Sequence, residues 1–250
     1  MYYCCGITEK GNMPHNEDAM LIGKVVSDEG SVQQNLSGSF IAAVSDGVSG
    51  ELSGELASKM CLEMLRDVKY SRKVDLKHKI TEIHRQLGAY GCTNLDTINM
   101  QATLCAIAVD ESGEITSVNV GDSRLYRFRG GHLRQISRDQ SLVQMLFEEG
   151  TITREELRTH SHRHIIFPVL GNVSADPEID IELLDGGMQY GDILLLCTDG
   201  LSDYLSPIDI EEILDLPKSL SKRLEMLVEK ALGKDCKDNI TIIAVVYCED

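Results

Sequence analysis

An α+β fold, an α-β-β-α sandwich of two antiparallel sheets flanked by helices, is what this sequence predicts. Apolar runs of strand length open the chain, fill its middle and close it. Between them lie two separate helical blocks, not the regular strand–helix alternation of a doubly wound sheet. The strands of the middle block are joined by connections too short for a parallel crossover, which favours antiparallel pairing.

Tyr2–Thr8 reads as a strand, Gly11–Asn16 as a turn, and Ala19–Ile22 as a second short strand. Asp28–Ser37 is polar and reads as loop, and Phe40–Val44 is the first strongly buried strand. Beyond Gly50, Leu52, Leu56, Met60 and Met64 recur every fourth residue, with Ala57, Cys61 and Leu65 widening the stripe. That spacing is an amphipathic helix facing a core. A second helical pattern covers Val74–Leu87, with Gly88 and Gly91 expected to end it. Strands follow at Ala102–Val109, Ile115–Val120, Leu125–Arg129 and Leu133–Ile136, with Gly121-Asp122-Ser123 read as a hairpin between paired strands. Ser141–Glu148 is a short helix capped by Asp139 or Ser141. A weaker helical segment sits at Arg154–Leu157, within a polar surface excursion. Strands at Ile179–Leu184 and Ile193–Cys197, helices at Pro207–Leu214 and Ser219–Leu232, and a strand at Ile240–Tyr247 complete the chain.

With 250 residues, scarce proline and no linker-like stretch, the sequence predicts a single domain spanning 1–250. Forty acidic residues against 24 basic ones give a net charge of −16, which repels nucleic-acid phosphates. Trp is absent and no basic stretch with interleaved aromatics occurs, so no nucleic acid is expected as a partner. No apolar run reaches the length of a membrane span and no secretion signal opens the chain. The eight cysteines show no Cys-x-x-Cys spacing and fall partly in apolar runs, the pattern of reduced, buried thiols. A cytoplasmic location without membrane partners is the expectation.

Chemistry concentrates in aspartates at strand ends. Ser45-Asp46-Gly47 follows Phe40–Val44, Thr198-Asp199-Gly200 follows Ile193–Cys197, and Asp238 immediately precedes Asn239 and the closing strand. A lone Asp-Gly is only a turn. Repeated at rigid strand ends, such carboxylates offer hard oxygen ligands to a divalent cation. Glu17 and Asp18 add two more in the turn before a strand, enough in total for two ions. The glycines after Asp46 lack the Lys-Ser/Thr ending of a P-loop, and Gly47 more plausibly exposes a carbonyl to a metal. Glu51 and Glu55 are read as helix-start residues. Alternating His160, His162 and His164 raise zinc as an alternative, against polar surroundings and no fourth ligand. Neither a Gly-x-Ser-x-Gly elbow nor an Asp-x-Asp pair is present, which argues against serine hydrolases and aspartyl-phosphate enzymes.

The ordered set Asn16-Glu17-Asp18-Ala19, Ser45-Asp46-Gly47, Val120-Gly121-Asp122-Ser123-Arg124, Thr198-Asp199-Gly200-Leu201 and Asp238-Asn239-Ile240-Thr241 resembles the bacterial branch of the PP2C (PPM) metal-dependent Ser/Thr protein phosphatases, over the whole chain. The resemblance implies that Asp46 bridges two Mn²⁺ or Mg²⁺ ions, Asp199 and Asp238 complete the first site, and the Gly47 carbonyl, Asp18 and Glu17 serve the second. It implies a possible third, weaker ion at Asp122 and Asp199. A bridging hydroxide would attack phosphoserine or phosphothreonine of protein substrates, the targets of a cognate Ser/Thr kinase, and the enzyme would be a monomer. Residues 145–164 would form a flap subdomain. Two positions depart from the pattern: Met13 stands where the family carries a phosphate-gripping arginine, and Val48 where many members carry a histidine. Loss of a bidentate clamp weakens phosphate binding, with Lys10 or a metal ion as partial replacement. Met13 also supports the alternative of a catalytically weak or inactive regulator that binds phosphoprotein or metal.

Overall fold

The computed structural model describes residues 1–48 and 53–248; Ser49, Gly50, Glu51 and Leu52 therefore lie outside the described residues. One sheet runs in the order β4 (Gly30–Leu36), β1 (Tyr2–Glu9), β12 (Ile240–Tyr247), β11 (Ile193–Cys197), β8 (Arg124–Arg129), β9 (His132–Gln135). The other runs β10 (Asp180–Leu183), β7 (Ile115–Val120), β6 (Leu104–Val109), β5 (Phe40–Asp46), β2 (Asp18–Ile22), β3 (Val25–Ser27). Every pairing is antiparallel. Helices α1 (Gly54–Arg66) and α2 (Leu76–Gly91) cover the second sheet, and α5 (Pro207–Leu214) and α6 (Leu220–Gly233) the first.

Three apolar layers hold the four structural layers together. Cys4, Met20, Val44, Ile107, Leu196 and Val245 interleave between the sheets. Leu21, Ala43 and Leu104 meet Leu62 and Ile80 under α1 and α2, while Leu195 and Ile242 meet Leu214 and Leu224 under α5 and α6. Adjacent residues of one strand thus enter different layers: Leu194 and Leu196 point between the sheets, Leu195 and Cys197 toward the helices. Burial on both faces explains why these strands read as continuous apolar runs without alternation.

Four expectations change. Residues 30–36 form strand β4, not loop, pairing with β1 at the sheet's edge. Their polarity is that of an edge strand, with Ser31, Gln33 and Asn35 exposed. Helix α2 continues through Gly88 to Gly91; a Cβ on Gly88 would sit 3.3 Å from the Gly171 oxygen, so this glycine admits a neighbouring loop without ending the helix. Gly121-Asp122-Ser123 is not a hairpin: β7 pairs with β6 and β10, β8 with β11 and β9, and the turn carries the chain from one sheet to the other. Strand β3 and the four-residue helix α4 (Asp199–Ser202) are additional elements. Ser141 caps α3 (Leu142–Glu148), accepting from the Gln144 amide, while Asp139 grips Arg124 instead. The weak helical segment is a 3₁₀ turn at Glu156–Arg158.

Leu62, fully buried beneath α1, gives the packing test. Leu62→Ala should cost about 2–5 kcal/mol in urea unfolding, whereas Ser31→Ala on the exposed edge should stay within about 0.5 kcal/mol.

Candidate metal centre

Strand register gathers the acidic residues at one end of the sandwich. Asp18 opens β2 directly opposite Asp46, which closes β5. Asp199 lies two residues beyond β11, and Asp238 two residues before β12, its antiparallel partner. Arg124, the first residue of β8, pairs with Cys197 at the end of β11, so Asp122 arrives beside Asp199. Five distant sequence segments therefore deliver Asp18, Asp46, Asp122, Asp199 and Asp238 to one region.

Uncharged groups fix each of them. The Thr198 hydroxyl donates to Asp18 Oδ2 at 2.7 Å and accepts from the Thr241 amide, tying β2, β11 and β12 together. The Asp46 amide donates to Thr103 Oγ1 at 3.0 Å, and that hydroxyl shares a buried 2.8 Å bond with Ser123. Asn239 braces the loop before β2: its Nδ2 donates to the carbonyls of Lys10 and His15, and its Oδ1 accepts from the Glu17 amide. Met13 lies inside this braced turn, its amide bonded to the Lys10 carbonyl. Two glycines permit the convergence. A Cβ on Gly47 would fall 2.2 Å from the Gly54 oxygen, and one on Gly200 would fall 1.9 Å from the Asn239 oxygen. Neither position accepts a side chain without moving main chain.

The electrostatics of the cluster are unfavourable as the protein stands. Burial raises the carboxyl of Asp18 to about 7, opposed by the Thr198 and Thr241 hydroxyls and reinforced by Asp238 and Glu17. Asp122 is also pushed to about 7, by burial and then by Asp139 and Asp203, with the Arg124 guanidinium opposing them. Asp46 and Asp199 lie well above the ordinary carboxylate range, through burial and then the charges of the neighbouring aspartates. Asp238 shifts upward for the same reasons, though His164 opposes it. Among the described residues no lysine or arginine makes an ion pair with any of these five. Asp199 Oδ1 is buried without a hydrogen-bond donor. An all-oxygen donor set of uncompensated carboxylates, with an orphaned acceptor at its centre, fits hard divalent cations.

Asp203, not named from the sequence, belongs here, and His164, read there as one of three zinc candidates, joins it. His164, Asp199 and Asp203 each present a ligand atom within 4.8 Å of the others. Asp203 also raises Asp122, Asp199 and Asp238. The signal was available: Asp199 and Asp203 are four residues apart at a helix start, hence on one face. The three histidines do not converge as a zinc site. His160 and His162 pack against each other, ring centroids 5.4 Å apart and tilted by 60°, while His164 turns toward Asp203, its Nδ1 3.9 Å from Oδ2.

Comparison with known proteins agrees with this arrangement. The family model described as Protein phosphatase 2C matches residues 21–235. The serine/threonine phosphatase stp of Listeria welshimeri is 30% identical over 247 residues, covering 95% of this chain and 93% of that protein. The crystal structure of the serine/threonine phosphatase Stp1 from Staphylococcus aureus superposes with a TM-score of 0.84 at 28% identity, covering 100% of this chain and 96% of that one. The catalytic domain of the serine/threonine protein phosphatase PstP in complex with two manganese ions superposes with a TM-score of 0.79 at 27% identity, each chain fully covered. Strand topology, the gathered aspartates and these likenesses coincide: the chain belongs to the protein phosphatase 2C family, the metal-dependent Ser/Thr protein phosphatases.

Proposed function

We propose that Asp46, Asp199 and Asp238 hold one Mn²⁺ or Mg²⁺ ion and that Asp46, Asp18, Glu17 and the Gly47 carbonyl serve a second, for hydrolysis of phosphoserine and phosphothreonine in proteins. Asp122 and Asp199 serve a third, weaker ion, to which Asp203 and His164 are added here. The observation that carries this assignment is the set of five converging, partly or fully buried aspartates, none of which is ion-paired to a lysine or arginine among the described residues. Bound cations supply Lewis acidity, acidifying water for attack and offsetting phosphoryl charge. The protein's own part is positional: Thr198 orients Asp18, Thr103 and Ser123 orient the main chain at Asp46, and Asn239 holds the Glu17 turn. Residues 145–164 form the flap beside this site, with His164 and Arg163 facing Asp203.

Phosphoproteins are the substrates, and we assign their phosphorylation to a cognate Ser/Thr kinase. We place the enzyme in the cytoplasm as a monomer, acting on neither nucleic acid nor membrane. Eight free cysteines and the −16 charge support this, and no helix among the described residues is long and apolar enough to cross a membrane.

Asp199→Asn should lower Mn²⁺-dependent p-nitrophenyl phosphate hydrolysis by about two orders of magnitude or more. The same change should raise the metal-free melting temperature, because it removes a buried charge that its neighbours repel. Unchanged turnover would displace Asp199 from the centre. Asp18 and Asp122 also set a pH dependence. A carboxyl whose folded pKa of about 7 exceeds its ordinary 3.8 takes up protons on folding, so it destabilises the fold increasingly as pH rises between those values. The metal-free protein should therefore melt higher at pH 5.5 than at pH 8 in thermal scans, with saturating Mn²⁺ reducing or reversing the difference. Met13→Arg should lower KM for a phosphopeptide by about tenfold with little change in kcat, the signature of restored phosphate binding.

A further inference from the structure

Beside the metal centre opens a cleft of about 730 Å³, whose lining includes Asp122, Asp199 and Asp203. Six of the chain's twelve arginines also line it, Arg124, Arg134, Arg138, Arg154, Arg158 and Arg163, and no lysine does. Against five carboxylates in the same lining, Asp139 and Glu148 being the other two, this is a local excess of positive charge in a chain of charge −16.

The six guanidiniums are not equivalent. Arg124 is held by Asp139 through three bonds of 2.6–3.0 Å, and Arg138 by Glu148 through two of 2.6 and 2.7 Å. These two pairs are internally neutral and shape the walls. Arg158 donates to the carbonyls of Leu205 and Asp203, which fix its position without cancelling its charge. Arg154 lies over the Phe147 ring at 5.8 Å, and Arg134, exposed on β9, has no ion pair among the described residues. Arg163 approaches Asp203 only at 3.9 Å. Once cations occupy the metal centre, the acidic lining beside Asp199 is engaged and the cleft presents Arg134, Arg154 and Arg158 uncompensated. Planar guanidiniums with free donors are suited to carboxylate and phosphate oxygens.

We infer that this cleft is a second anion subsite, which receives a phosphorylated or acidic residue of the substrate polypeptide near the phosphoresidue being hydrolysed. The inference deepens the phosphatase reading and rests on it. A cleft of this volume is ~9 Å across, a span that an extended peptide covers in about three residues. The second anion therefore belongs two or three residues from the scissile phosphoresidue. The subsite also gives the enzyme a source of anion affinity despite Met13, displaced from the reacting phosphate to a neighbouring group.

The test uses phosphothreonine peptides that differ at one position, two or three residues to either side, carrying phosphoserine, Glu or Gln there. Dephosphorylation of the threonine is followed with the Mn²⁺-loaded enzyme by mass spectrometry. Turnover of the Gln peptides tests the phosphatase reading by itself, and the ratios between peptides test the subsite. At one or more positions the phosphoserine peptide should exceed its Gln counterpart in kcat/KM by about tenfold, mainly through KM, with Glu between them. An advantage for phosphoserine without one for Glu would identify phosphate as the anion read, and equal advantages would identify negative charge alone. Arg134→Gln with Arg154→Gln, two exposed changes that break no hydrogen bond among the described residues, should bring both ratios toward one and flatten their salt dependence. Ratios within twofold of one at every position in the unmodified enzyme, or ratios that survive the double substitution, would overturn the subsite.

Discussion

Mutual repulsion among carboxylates that the protein itself does not neutralise is the constraint on which the rest of the structure depends. Asp18, Asp46, Asp122, Asp199 and Asp238 are each raised above the ordinary range, chiefly by burial and then, for most of them, by one another. A fold assembled for stability alone would separate them or insert a lysine. Instead the sandwich keeps them together with hydroxyls and an amide, groups that hold position without cancelling charge. The deficit is one that divalent cations remove.

The sandwich can carry this strain because each of its five aspartates sits at a strand end or within two residues of one. Three apolar layers lock the strands against sliding, since a slip of one residue would exchange the sets of side chains facing helix and opposite sheet. Register then sets which aspartates meet: Asp18 opposite Asp46 within one sheet, and Asp122 level with Asp199 beyond the β8–β11 pair in the other. The turn at Asp122 crosses between sheets, so its carboxylate stands where the two ends meet. The arginine-lined cleft adjoins this end of the sandwich, sharing Asp122, Asp199 and Asp203 with it.

Much of this was legible in the sequence because buried strands and amphipathic helices leave different periods. The runs at Phe40–Val44 and Ile193–Cys197 and the stripe through Leu56, Met60 and Met64 announced layers correctly. What the pattern concealed has physical reasons. An edge strand such as Gly30–Leu36 needs no apolar face and so resembles a loop. Gly88 serves close approach inside a helix, which composition cannot distinguish from a helix end. The step at Gly121-Asp122-Ser123 has the length of a hairpin but changes sheets, a choice made by tertiary packing. At the site, Asp46 and Asp199 were signalled by Asp-Gly after buried runs, whereas Asp203 was signalled only by its four-residue offset from Asp199, and His164 by a histidine pattern that pointed to zinc and not to these aspartates.

The account turns on where cations lie. Anomalous scattering from a crystal saturated with Mn²⁺ tests it most directly. The account predicts two strong peaks sharing Asp46, one contacted by Asp199 and Asp238 and the other next to Asp18 and the Gly47 carbonyl, with a weaker third toward Asp122, Asp199 and Asp203. Manganese bound elsewhere, or absent while these five aspartates remain clustered, would contradict it.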